Sequence, residues 1–214
     1  RLLKIDMVDN RPISDLILRQ LAEQVAETAP GTAVLCSDFR HGIFNARTIP
    51  TLRAAIPEGC LRAADSQVAS RWGNITDFQD FDLVTPNERE ARFALGDQDS
   101  GVRPLAARLY QEARCKYLLM KMGPRGVLGF GPGENESERS FALDAFADRA
   151  VDPVGAGDAF LAYAALALGS GASLQAAAVL GSFAAGAECE YDGNKPVAPE
   201  RVLAKIDEAS HELG

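Results

Sequence analysis

One stretch of the chain carries residue types that could do chemistry together: Val151-Asp152-Pro153-Val154-Gly155-Ala156-Gly157-Asp158-Ala159-Phe160. Glycines on either side of a small alanine let the backbone approach an anion closely, and the pattern predicts a strand turning into a helix. The first amides of such a helix lack partners within it, and its aligned peptide dipoles place roughly half a positive charge there. Gly155, Ala156 and Gly157 would therefore collect negative charge, with the Asp158 carboxylate beside it. As a plain first-turn acid, Asp158 would only complement the dipole. As a general base, it could take a proton from an alcohol while the turn steadies charge developing on a phosphoryl group. Many strand-to-helix turns share these glycines, so the rest of the chain must decide.

Two further stretches bring usable groups. In Thr85-Pro86-Asn87-Glu88-Arg89-Glu90, Asn87 and Glu90 stand at a helix start with the spacing of a variant capping box. Lys121-Met122-Gly123-Pro124-Arg125-Gly126 ends a strand, and by themselves Gly123 and Gly126 read as a hairpin turn. Asp38 and Asp65 also close strands, and they read equally well as ligand contacts or as turn carboxylates.

The elements that must position these groups alternate. Strands are expected at Arg1–Val8, Thr32–Cys36, Cys60–Ala64, Asp82–Val84, Tyr117–Met122, Val127–Phe130, Phe141–Leu143 and Ala147–Val151. Helices are expected at 14–28, with Leu16, Ile17, Leu21 and Val25 on one face, and at 45–55, 88–95, 102–113, 158–168, 173–188 and 199–209. Gly131–Ser140 is too polar to bury and reads as an irregular loop. Strand and helix in alternation imply an α/β fold with a mainly parallel sheet and helices on both faces, whose ligands gather at the carboxyl ends of the strands.

Composition narrows the partners. The 214 residues suit a single domain, with no linker or internal repeat. A net charge of −8 with scattered acids argues against nucleic acid or an anionic membrane as partner. No apolar run is long enough to span a membrane, and no signal-peptide pattern opens the chain, which starts with Arg1 rather than Met. The four cysteines lack paired spacing and read as reduced core thiols of a cytoplasmic protein.

Taken in order, the Asn87 stretch, the Lys121 stretch and Asp152-Pro153-Val154-Gly155-Ala156-Gly157-Asp158 resemble the PfkB/ribokinase family of carbohydrate kinases over nearly the whole chain. Ser37-Asp38-Phe39-Arg40-His41-Gly42, Asp65 and the Thr-Pro-Asn stretch are most similar to the heptose-7-phosphate kinase domain of bifunctional heptose kinase/adenylyltransferases. The resemblance implies a three-layer αβα sandwich and transfer of the ATP γ-phosphoryl group, with magnesium, to a hydroxyl of a sugar or sugar phosphate. It makes Asp158 the base and gives the Gly155, Ala156 and Gly157 amides the oxyanion. Asn87 and Glu90 match the family's Asn-x-x-Glu motif, which organises magnesium, partly through water, and the ATP phosphates. Lys121, Gly123, Gly126 and Asp152 fall on the family's nucleotide segments, and Gly181-Ser182 stands at the adenine pocket, where the family often carries Asn.

The chain also departs from the family. Ser66-Gln67 follows Asp65 where the heptose kinases tend to have Pro-Lys, so a lysine is missing there. The family's Gly-rich sugar-binding segment and most of its β lid have no counterpart before Arg1, and residues 1–8 resemble the last lid strand. Family members commonly dimerise through that lid, so a homodimer is possible with an altered interface. The alternative to a kinase is a catalytically weak nucleotide- or sugar-binding protein of the same fold.

Overall fold

The computed structural model describes residues 11–67, 75–135, 139–146, 153–190 and 196–212. The strands expected at 1–8 and 147–151 lie outside these residues.

Among the described residues, six strands follow one another across the sheet in chain order: β1 (Ala33–Asp38), β2 (Leu61–Ser66), β3 (Leu83–Val84), β4 (Tyr117–Lys121), β5 (Val127–Phe130) and β6 (Ser140–Leu143). β1 to β4 pair in parallel, and β5 and β6 add antiparallel pairs. Parallel neighbours need a crossover; α-helices supply it from β1 to β2 and from β3 to β4, whereas the described residues between β2 and β3 hold only a 3-10 turn at Ile75–Asp77. Before the strands runs α1 (Asp15–Ala26); between them run α2 (Thr48–Ala55), α3 (Glu88–Leu95) and α4 (Val102–Ala113); after them come α5 (Ala156–Gly169), α6 (Leu174–Cys189) and α7 (Pro199–Glu212).

Side chains alternate between the sheet's faces, and each face has its own core. Ala64, Val84, Leu118 and Met120 pack with Ile49 of α2, Ala91 of α3 and Leu105 and Leu109 of α4. Ala63, Leu83 and Leu119 pack with Phe160, Leu161 and Ala164 of α5 and Ala177 and Ala178 of α6. The result is the three-layer αβα arrangement. α5 and α6 lie close because their contact is built from small residues: a Cβ on Gly181 would stand 3.0 Å from the Phe160 carbonyl oxygen. α7 rests on α6 through Val202, Phe183 and Ala184.

Helix starts follow local chemistry. Ser14 caps α1 by accepting from the Ile17 amide, and Ser173 caps α6 through the Ala176 amide. α2 begins at Thr48 rather than Asn45, because the Asn45 side chain accepts from the Arg47 and Thr48 amides and holds a turn. α5 begins at Ala156, two residues ahead of the sequence-based start at Asp158. The expected apolar face of α1 is a correction: Leu18 is its buried residue, whereas Leu16 and Ile17 are exposed. α1 packs mainly on α2 rather than across the sheet, which turns a different stripe inward.

Candidate active site

All four parallel strands point their carboxyl ends at one edge of the sheet, and the polar residues gather there. Ser37 stands opposite Asp65 in the register of β1 and β2. One turn beyond β3, Asn87 forms an isolated parallel bridge with Lys121, the last residue of β4, whose amide donates to the Pro86 carbonyl at 2.8 Å. The Asn-x-x-Glu segment and the Lys121 segment are thus tied by backbone.

α5 starts at the same edge. Gly155 precedes it with φ 89°, a left-handed conformation that favours glycine, and supplies no side-chain cap. The first rung of the helical ladder is Ala159 N–H to the Gly155 carbonyl at 2.9 Å, so the Gly157 and Asp158 amides come before it. Asp158 lies in the first turn and accepts a 2.7 Å hydrogen bond from Ser37 Oγ.

Lys121 Nζ donates to Asp65 Oδ2 at 2.6 Å, with both side chains largely buried. A Cβ on Gly157 would stand 3.3 Å from Lys121 Nζ and 3.5 Å from Asp65 Oδ2, so the ion pair lies directly against the helix start. Burial pushes the Asp65 carboxyl up; the Lys121 charge opposes that shift and the Asp158 charge adds to it. Asn87 and Glu90 form a reciprocal capping box: Asn87 Oδ1 accepts from the Glu90 amide at 2.9 Å, and Glu90 Oε2 from the Asn87 amide at 2.7 Å. Glu90 is pushed up to about 7, by burial first and then by the Asp65 charge, against the pull of Lys121 and Asn87. A buried carboxyl so raised gains from a nearby cation.

These groups line one polar cavity of about 400 Å³, walled by Asp65, Asn87, Glu90, Lys121, Gly155, Gly157 and Asp158. A second, mostly apolar cavity of about 450 Å³ adjoins it along Lys121, Gly123, Pro153 and Gly157. Its walls include Gly126, Val127, Phe146, Ala156, Phe160 and Ser182. Ser182 Oγ is buried without a hydrogen-bond partner among the described residues. A buried orphan hydroxyl calls for an explanation, and a polar ligand in this cavity would satisfy it.

The structure therefore brings together Asn87, Glu90, Lys121, Gly123, Gly155, Gly157 and Asp158 around the polar cavity, and Gly126, Ala156 and Ser182 around the apolar one. Asp152 lies outside the described residues. Asp65 is a cavity residue. Asp38 is not: its carboxylate accepts from the Arg40 amide at 2.8 Å, from the Arg40 guanidinium and from Ser66 Oγ at 3.0 Å, which makes it the anchor of a buried turn. Sequence reasoning missed Arg89, which lies exposed on the polar cavity's wall, and Phe146 and Phe160 in the apolar one. The place of Arg89 inside the Asn87–Glu90 motif was the available signal. Among the described residues no cluster of three or more His, Cys, Asp or Glu side chains could hold a metal by protein ligands alone, and no helix is long and apolar enough to cross a membrane.

This architecture is the ribokinase-like fold. Phosphofructokinase-2 from Escherichia coli, solved in complex with potassium, superposes with a TM-score of 0.75 at 22% identity, covering 93% of this chain and 64% of that one. Arabidopsis thaliana ribokinase, complexed with ribose and ATP, gives a TM-score of 0.66 at 21% identity, covering 92% of this chain and 60% of that one. The chain belongs to the pfkB family of carbohydrate kinases, whose family model matches residues 10–201. The bifunctional protein HldE of Desulfatibacillum aliphaticivorans is 27% identical over 214 residues, covering 97% of this chain and 42% of that protein. The ATP-dependent 6-phosphofructokinase isozyme 2 of E. coli is 28% identical over 166 residues, covering 73% of this chain and 50% of that protein. The chain thus spans half or less of the length of these two relatives.

Proposed function

We propose that the chain is an ATP-dependent kinase that phosphorylates a hydroxyl of a sugar or sugar phosphate, with a heptose-phosphate-like acceptor favoured by the Ser37–Gly42, Asp65 and Thr-Pro-Asn resemblance. The observation that carries this reading is Asp158, held by Ser37 within the first turn of α5, in a cavity that adjoins an apolar one. The apolar cavity suits a purine base, with the Ser182 hydroxyl as its polar contact. From there the polyphosphate runs past Gly123 and Lys121 to the amides of Gly157 and Asp158, which favour negative charge.

Asp158 takes the proton of the acceptor hydroxyl, the resulting oxygen attacks the γ-phosphorus in line, and the bond to the β-phosphate oxygen breaks to release ADP. The amides of the turn face the charge that develops on the transferring group. Magnesium prefers oxygen donors and retains most of its waters. Glu90, oriented by Asn87, fits that preference as one carboxylate acting partly through water. When bound, the ion would neutralise charge on the phosphates. We place the protein in the cytoplasm, on the reading of its cysteines as reduced thiols, and allow a homodimer on family resemblance.

The test is titration with ATP followed by ADP release across a panel of sugars and sugar phosphates. Turnover stimulated by at least one acceptor is expected. ATP binding with no acceptor-stimulated turnover would instead identify a binding protein of this fold.

A further inference from the structure

The missing lysine after Asp65 leaves the polar cavity short of positive charge unless another residue supplies it. Three carboxylates, Asp65, Glu90 and Asp158, wall this cavity, while Gln67 stands where a cation would be expected. Among the described residues, two basic ones share the wall: Arg89 is exposed, whereas Lys121 has a side chain only 17% exposed.

We infer that Lys121 is the cation that grips the polyphosphate at the Gly157 turn, and that Asp65 is the residue that positions it. The inference rests on the nucleotide-binding reading above and assigns the missing charge to a neighbouring strand. Lys121 borders the polar cavity, the apolar cavity and a third cleft along Glu88 and Arg92, so the residue stands where the three meet, with its ammonium at Asp65 and Gly157. A chain running from a base in the apolar cavity to Asp158 in the polar one must pass it. An ammonium has three N–H donors, and the Asp65 bond uses one, which leaves two for phosphate oxygens.

The pairing also explains why a flexible side chain can serve. A lysine stem has four rotatable carbons, and ordering it costs entropy at binding unless a partner fixes it beforehand. Asp65, with a side chain 9% exposed, holds the ammonium against the helix start before any ligand arrives. The glycine at 157 belongs to the same device, because a Cβ there would crowd Nζ at 3.3 Å.

The test is calorimetric titration with ATP and with adenosine, each with magnesium and with chelator, on folded protein verified by circular dichroism. Lys121→Met is expected to weaken ATP binding about thirtyfold, with adenosine affinity unchanged within about threefold and partial recovery in Lys121→Arg. Asp65→Asn is expected to weaken ATP about fivefold, although it removes a negative charge from an anion site. The double variant Lys121→Met with Asp65→Asn removes both charges of the buried pair, and keeps the question open to test if a single variant does not fold. It is expected to bind ATP no worse than Lys121→Met, because Asp65 acts through Lys121. Equal loss of ATP and adenosine, or no loss in Lys121→Met, would overturn the inference while leaving the kinase reading intact. Tighter ATP binding in Asp65→Asn, or a loss seen only with magnesium, would overturn the positioning role. A wild-type chain that binds neither compound overturns both readings.

Discussion

Ser37 Oγ donates a 2.7 Å hydrogen bond to Asp158 Oδ1, joining the end of the first strand to the first turn of α5 across a sequence separation of 121. A hydrogen bond to a charged group contributes about 1.5–3 kcal/mol. Here it engages Oδ1 of Asp158, which in the proposed reaction leaves Oδ2 for the acceptor hydroxyl. Ser37→Ala is expected to lower turnover about tenfold while ATP affinity stays within about twofold. Steady-state kinetics beside nucleotide titration check it; equal loss of both would mean the bond merely holds the site together.

Asp158 itself carries the sharper expectation. General-base catalysis typically contributes about a hundred- to ten-thousandfold, so Asp158→Asn is expected to lose at least about a hundredfold in kcat with ATP binding nearly intact. Single-turnover measurement of ADP formation separates this from a binding defect.

Glu90 ties stability to pH. Its carboxyl rises from an ordinary 4.5 to about 7 on folding. A folded value above the unfolded one means that this contribution is fully present below pH 4.5 and is lost as pH rises through about 7. The shift corresponds to about 3 kcal/mol as an upper bound. Glu90→Gln retains an acceptor for the Asn87 amide but cannot ionise. Its urea midpoint is therefore expected to fall less between pH 5 and pH 8 than the wild-type midpoint does.

Gly126 tests the hairpin beneath the apolar cavity. With φ 81°, it lies where a Cβ would come within 1.9 Å of the Leu143 carbonyl oxygen. Gly126→Ala is expected to destabilise the chain by at least about 2 kcal/mol, because backbone strain and a clash with backbone both act. Gly123, with φ 59° and nothing within 4 Å of its Cβ position, should cost less on the same substitution. Chemical denaturation of the two variants ranks them.

What was readable in the sequence was local. The Asn87 and Glu90 capping box, the Gly155 turn and the Lys121 hairpin depend on spacings of a few residues, where propensity and capping rules act directly. The pairings that complete the site were not readable. Ser37 with Asp158 and Lys121 with Asp65 are separated by 121 and 56 positions and meet only through sheet register. Asp38 and Asp65 looked alike because both end strands. They differ because Arg40 and Ser66 claim the Asp38 carboxylate, whereas Lys121 holds Asp65 toward the cavity. The exposed Leu16 and Ile17 of α1 show the same limit, since periodicity gives a stripe but not the neighbour it meets.

The backbone bridge between Asn87 and Lys121 makes the excursion through α3 and α4 a closed loop whose two ends are pinned together. Length added at its tip changes neither anchor, and lengthening a loop costs only about 0.6 kcal/mol per doubling. A short flexible insertion between the exposed Gln98 and Asp99 should leave ATP affinity within about twofold, as titration would check. The family motif and the strand-end lysine are in this sense one hinge-free unit, and the segment between them is open to remodelling by evolution or by design.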